Sequence, residues 1–192
     1  MIKAVIFDFF GVLAVRGVGS FSKTYYPNDA EKIKLTEDLQ DKLNLGTLGY
    51  DGYIDGLAKV GGVGREEVLR YTEDYKANAE LLDCIQRELK PKYKIGIISN
   101  AGDDWVDEVL GSDTKLFDDI VLSYKVGIIK PEPEIYEIST KNLGVRPEEA
   151  VFIDDILKYC QGAEAVGMNT IWYKDFDQFK TELETILASG TN

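Results

Sequence analysis

The side chains in this sequence that can do chemistry follow apolar runs. Asp8 follows Ile2–Phe7, Ser99 and Asn100 follow Lys94–Ile98, and Asp154 with Asp155 follows Ala150–Ile153. Lys130 lies seven residues past Ser123, which ends the run Ile120–Ser123, and it opens the stretch Lys130-Pro131-Glu132-Pro133. Carboxylates at two such run ends can hold a hard cation such as Mg²⁺, which takes one or two carboxylates, waters and substrate phosphate. A carboxylate there can also attack phosphorus or an activated carbon. Ser99 can donate to a phosphoryl oxygen, and Lys130 can neutralise charge on the attacking carboxylate and the transferring group. Pro131 and Pro133 stiffen the lysine's backbone. Singly, Asp, Ser-Asn and Asp-Asp are ordinary turn and cap residues. Their shared placement, each after an apolar run, points to one site.

The runs predict the elements that position these residues. Ile2–Phe7, Lys94–Ile98, Ile120–Ser123, Ala150–Ile153 and Thr170–Tyr173 are rich in Ile and Val and do not alternate. That is the pattern of parallel strands covered on both faces. Helical patterns at 103–110, Glu134–Leu143 and Tyr159–Val166 lie between the last four, and a final helix places Phe176, Phe179, Leu183 and Leu187 on one face. Strand–helix alternation predicts an α/β fold, a doubly wound, Rossmann-like parallel sheet, which binds ligands outside the C-terminal strand ends. From Ala14 to Lys90 no β run is expected. Helical patterns at Ile33–Leu43, Tyr53–Lys59 and Glu66–Ile85 are separated by glycine-rich joints at 17–19, 46–52 and 61–64. We expect a core domain of residues 1–13 and 91–192 and a small α-helical cap domain of residues 14–90.

Composition narrows the chemistry. The chain has 192 residues, no histidine, and 34 Asp+Glu against 22 Lys+Arg, a formal charge of −12. Without histidine there is no Ser-His-Asp or Cys-His dyad and no HExxH zinc site. Acid–base or metal chemistry must come from carboxylates, Lys, Tyr, Cys or backbone. The acid surplus argues against a nucleic-acid partner. Cys84 and Cys160 form no CxxC pattern, which suits a reducing, cytoplasmic setting. The stretch from Ala4 to Val15 is too short to span a bilayer and is broken by Asp8, so no membrane partner is expected. It reads as a buried strand and not as a signal peptide.

The motifs IFDFFGVL (Ile6–Leu13), IISNAG (Ile97–Gly102), VGIIKPEPEIY (Val126–Tyr136) and VFIDDI (Val151–Ile156), in this order, resemble those of the haloacid dehalogenase (HAD) superfamily, subfamily I. GAEAVGMNTI (Gly162–Ile171) is similar to that family's downstream helix and fifth strand. The resemblance implies an aspartyl nucleophile at Asp8, and phosphoryl binding and neutralisation by Ser99 and Lys130. It implies Mg²⁺ as cofactor, held by Asp8, the Phe10 carbonyl and Asp154, with Asp155 in support. Phe10, Gly11 and Asn100 are the expected substrate contacts, and the substrate is a small, phosphorylated molecule. The helical cap implied by the family closes over the strand ends and sets specificity. Tyr25, Tyr26, Tyr50 and Tyr53 are candidates to line its pocket or to pack on one another.

One position departs from the family pattern with a chemical consequence. Phosphatases of the superfamily carry a second Asp two residues after the nucleophile, where this chain has Phe10. That acid protonates the leaving oxygen and then activates water, and general acid–base catalysis is worth about 10²–10⁴-fold. Tyr159 stands where many relatives have Asn. Three readings stay open. One is a Mg²⁺-dependent hydrolase slow on alkyl phosphates but competent on acyl or aryl phosphates. Another is a catalytically silent binding or regulatory member. The third is a 2-haloacid dehalogenase-type hydrolase, which carries an aromatic residue at this position and a cap arginine, for which Arg16, Arg65 and Arg70 are candidates.

Overall fold

The computed structural model describes residues 1–16, 19–102 and 105–189. The glycine joint expected at 17–19 and the start of the helix expected at 103–110 fall partly outside them. Strand β1 (Ala4–Phe7) is wholly buried. After a tight turn the chain forms β2 (Ala14–Arg16) and then α1 (Phe21–Tyr25), α2 (Ala30–Asn44), α3 (Tyr50–Gly61) and α4 (Arg65–Thr72). It returns through β3 (Tyr75–Ala77) and α5 (Ala79–Cys84), which runs on as a wider π turn over Ile85–Leu89. Local chemistry sets these ends: the Asp29 carboxylate caps α2 by accepting from the Lys32 amide at 3.1 Å, and the Asn78 side chain caps α5 by accepting from the Leu81 amide at 3.3 Å.

The rest alternates as the sequence predicts. It runs β4 (Lys94–Ser99), α6 (Trp105–Leu110), β5 (Asp119–Leu122), α7 (Ser123–Val126), α8 (Pro133–Leu143), β6 (Ala150–Asp154), α9 (Leu157–Ala165), β7 (Asn169–Trp172) and α10 (Phe176–Ser189). The five long strands form one parallel sheet ordered β5–β4–β1–β6–β7. Phe7 pairs with Ile97 and Ile153, so β1, β4 and β6 end level. This register is what brings Asp8, Ser99 and Asp154 to one edge. Each face of the sheet has its own apolar cluster, one including Phe7, Ile97, Ile153 and Phe179, the other Ile6, Ile98, Tyr136 and Phe152.

The inserted segment differs from expectation in two respects. Ala14–Arg16 and Tyr75–Ala77 pair antiparallel, Arg16 against Tyr75, as a two-stranded ribbon at the base of the cap. Three residues each are too few for a period-2 pattern to emerge from sequence. The ribbon also breaks the helix expected over Glu66–Ile85. Leu81, Leu82, Cys84, Ile85 and Leu89 then bury into the same cluster as Phe7 and Ile97, so residues 79–89 pack with the sheet. The cap has its own small core of Phe21, Tyr26, Leu43, Tyr53, Ile54, Leu57 and Val68. No helix among the described residues is long and apolar enough to cross a membrane.

Candidate active site

The site is built around a buried ammonium. Lys130 is 2% exposed, and its Nζ donates to Asp8 Oδ1 at 2.5 Å and to Asp154 Oδ2 at 2.7 Å. Its backbone is held by one side chain. Asn100 Oδ1 accepts from the Lys130 amide at 2.8 Å, and Asn100 Nδ2 donates to the Lys130 carbonyl at 3.1 Å. The Tyr159 ring lies 4.9 Å from the ammonium, and its hydroxyl accepts from Asn100 Nδ2 at 3.4 Å. The Asp154 carboxylate is fixed from its other side by the Ile156 amide, which donates to Oδ1 at 2.8 Å.

Asp8, Asp154 and Asp155 each offer a carboxylate oxygen, all within 4.8 Å of one another. Burial raises Asp8 to about 8; Lys130 opposes the shift, and the Asp154 and Asp155 charges add to it. Lys130 is raised, because Asp154 and Asp8 together outweigh its desolvation. Asp155 is exposed as a residue, but its carboxylate lies against Gly11. Desolvation there, then the charge of Asp154, push it up to about 6 against Lys130. Three carboxylates crowded around one ammonium are a donor set suited to a hard divalent cation.

Gly11 adopts φ +95°, and a Cβ there would collide with the Asp155 carboxylate. Only glycine accommodates both the left-handed backbone and that approach. Gly11 is not in the wall of the cavity described below and instead makes room for Asp155. Ser99 is fully buried, and its Oγ has no hydrogen-bond partner among the described residues. An orphaned buried hydroxyl is uncommon and awaits an acceptor or donor.

A cavity of ≈ 200 Å³ opens between the strand ends and the cap. Asp8, Phe10, Asn100, Lys130 and Tyr159 line the core side, and Arg16, Gln40, Tyr50, Tyr53, Thr72, Tyr75 and Trp105 are among those lining the rest. The Phe10 ring packs on Phe9 with centroids 4.9 Å apart and on Tyr75 at 4.8 Å. Asp8 therefore reaches the cavity beside Phe10. Asn100 lines the cavity but commits its carboxamide to Lys130 and Tyr159, which makes it a positioning residue more than a free substrate contact.

All four cap tyrosines pack in or against the cap cluster, and of them Tyr50 and Tyr53 also line the cavity. Of the three candidate arginines, Arg16 alone lines it. Arg65 pairs with Asp51 and Asp55, and Arg70 with Glu67. Sequence reasoning missed Tyr75, Trp105, Gln40 and Thr72. Gln40 and Thr72 depend on how the cap helices pack, Tyr75 on the short ribbon strand and Trp105 on α6 meeting the cap, and no motif or spacing carries that.

A family model described as a haloacid dehalogenase-like hydrolase matches residues 2–167. The chain is 27% identical over 210 residues to D-ribitol-5-phosphate phosphatase of Bacteroides thetaiotaomicron, covering 98% of this chain and 100% of that one. It is 31% identical over 120 residues to bifunctional epoxide hydrolase 2 of Sus scrofa, over 58% of this chain but 21% of that longer protein. The chain thus spans about a fifth of the length of that relative, the aligned share being 21%. Among solved structures, a HAD family enzyme of Bacteroides thetaiotaomicron in complex with magnesium and inorganic phosphate superposes with TM-score 0.72 at 26% identity, over 93% of this chain and 99% of that one. With its strand-end carboxylates, its buried lysine and the match over residues 2–167, the chain belongs to the haloacid dehalogenase-like hydrolases.

Proposed function

We propose that the chain is a Mg²⁺-dependent phosphohydrolase that uses Asp8 as nucleophile on small phosphorylated molecules. The observation that best supports this is Lys130 Nζ bonded to both Asp8 and Asp154 beside a third carboxylate, Asp155. Asp8, Asp154 and the Phe10 carbonyl would hold the cation, with Asp155 in support. When bound, it supplies positive charge to the phosphoryl oxygens. The phosphatase and the magnesium–phosphate complex among the relatives support the same reading.

Each residue has a task in this reaction. Asp8 attacks phosphorus, the bond to the leaving oxygen breaks, and an aspartyl phosphate remains. Lys130 keeps Asp8 oriented and offsets charge on the transferring group. The unpartnered Ser99 hydroxyl donates to a phosphoryl oxygen. Water then attacks the aspartyl phosphate, releases phosphate and restores Asp8. Phe10 can neither protonate the leaving oxygen nor deprotonate the water. Substrates whose leaving groups depart as weak bases, acyl and aryl phosphates, are therefore favoured over alkyl phosphates. Two buried free thiols suit a reducing, cytoplasmic setting.

The test is turnover of acetyl phosphate and p-nitrophenyl phosphate with and without Mg²⁺. Mg²⁺-dependent hydrolysis that disappears in Asp8→Asn is the expected result, and wild-type rates no higher than that variant's overturn the proposal. The packing of Phe10 on Phe9 and Tyr75 favours one other reading, a member that binds phosphate without turnover. It predicts Mg²⁺-dependent phosphate binding by calorimetry with no hydrolysis of acetyl phosphate.

A further inference from the structure

Among the described residues, two cations line the cavity, Lys130 and Arg16, and the chemistry above uses only Lys130. Arg16 sits on β2, and its backbone pairs with Tyr75 across the ribbon, at one of the two places where the chain crosses between core and cap. Its guanidinium donates to the Tyr75 hydroxyl and lies 4.7 Å from the centre of that ring. The Tyr75 ring in turn packs on Phe10. The arginine is thus held one ring away from the residue beside the nucleophile.

Arg16 is exposed and has no anionic partner among the described residues. In a chain with 34 acids against 22 bases, Arg65 and Arg70 both pair with carboxylates, whereas Arg16 forms no ion pair with any described carboxylate. The neutral polar groups of the cap wall already serve one another. Tyr53 donates to Gln40 at 2.6 Å, Gln40 to Asn44 at 3.0 Å, and Tyr50 to Thr72 at 2.9 Å. A guanidinium has five N–H donors in a fork that matches a carboxylate. Among the donors on this wall that neighbouring described side chains do not occupy, only those of Arg16 carry a positive charge.

We propose that Arg16 determines specificity at the far end of the substrate, and that the substrate is a small phosphorylated carboxylic acid. The inference rests on the phosphohydrolase reading for the near end. A carboxylate is favoured over a second phosphate because one guanidinium balances one negative charge, and a chain of formal charge −12 does not welcome more. Tyr75 positions the fork and does not itself bind the acid.

The test uses ligands that cannot be hydrolysed, so it stands apart from any turnover assay. Phosphonoacetate, phosphonopropionate and phosphonobutyrate are titrated calorimetrically into the full chain with Mg²⁺, each beside the alkylphosphonate of equal carbon count. At least one acid binds the wild type more tightly than its uncharged counterpart by about tenfold or more, the worth of a charge-assisted hydrogen bond. In Arg16→Gln that ratio falls close to one, and Arg16→Lys keeps part of it. No preference for any acid in the wild type, no binding of any ligand, or a preference that survives in Arg16→Gln overturns the proposal. Equal weakening of acid and counterpart also overturns it, because Arg16 would then serve the phosphate.

Discussion

In the proposed hydrolysis Phe10 places a ring where a carboxylate would move a proton, and the ring's contacts with Phe9 and Tyr75 lie at the cavity wall, not deep in the sheet. Phe10→Asp therefore puts a carboxylate beside Asp8 and raises kcat/KM for glycerol phosphate, by up to about 10²–10⁴-fold. A rate unchanged from wild type contradicts this. Lys130 gives a second expectation at this scale. Removing one member of a buried charge cluster costs roughly 3–5 kcal/mol, less here because Asp8, raised to about 8, readily takes a proton instead. Lys130→Met lowers the urea midpoint in EDTA, and Mg²⁺ restores part of the loss because the cation replaces the missing charge. Equal midpoints with and without Mg²⁺ argue against a cation at this cluster. Asp8, Ser99 and Asp154 were legible at strand ends because each follows a strand-like run, and Lys130 drew notice because its Lys-Pro-Glu-Pro stretch lies seven residues past another. The duty of Asn100 was not, because its hydrogen bonds reach a residue 30 positions away.

The cap touches the core at a second place besides the ribbon. The Ser123 hydroxyl donates to the Asn44 carbonyl at the end of α2 at 2.6 Å and accepts from the Ala101 amide at 3.0 Å. Leu43 lies directly on Gly102, where a Cβ would strike its side chain and sit 2.7 Å from its carbonyl oxygen. Gly102→Ala therefore pushes α2 off the loop that carries Asn100. Its expected effects are a loss of about 1–3 kcal/mol in urea unfolding and a higher KM for acetyl phosphate. Unchanged stability and KM contradict the contact. At the opposite end of the sheet, Glu149 secures the start of β1. Lys3 Nζ meets its carboxylate at 2.7 Å, and the Arg146 amide donates to it at 3.0 Å. Lys3 first, then Arg146, hold Glu149 down at about 2, below its ordinary 4.5. A depressed carboxylate stabilises the fold above its unfolded value and loses that contribution as pH falls. The difference in urea midpoint between wild type and Glu149→Gln is thus constant near pH 7 and shrinks below about pH 4.5, towards its folded value. A difference that does not vary with pH rejects the pairing.

For the whole molecule, the arrangement is a sheet with an apolar cluster on each face and a cap with a core of its own. The cavity lies where these bodies meet, so its core side and its cap side have different origins. The sequence by itself determined the sheet, its strands and the acids at their ends. Buried parallel strands need continuous apolar runs, and a polar residue ending such a run is visible in one dimension. It also determined that position 10 carries no acid and that the chain holds no histidine. The tertiary structure decided the rest. It paired the two short strands of the ribbon, assigned residues 79–89 to the sheet, selected Arg16 among three arginines and set Tyr75 against Phe10. These depend on contacts between segments far apart in the chain and on three-residue strands. Neither leaves a period or a spacing to read.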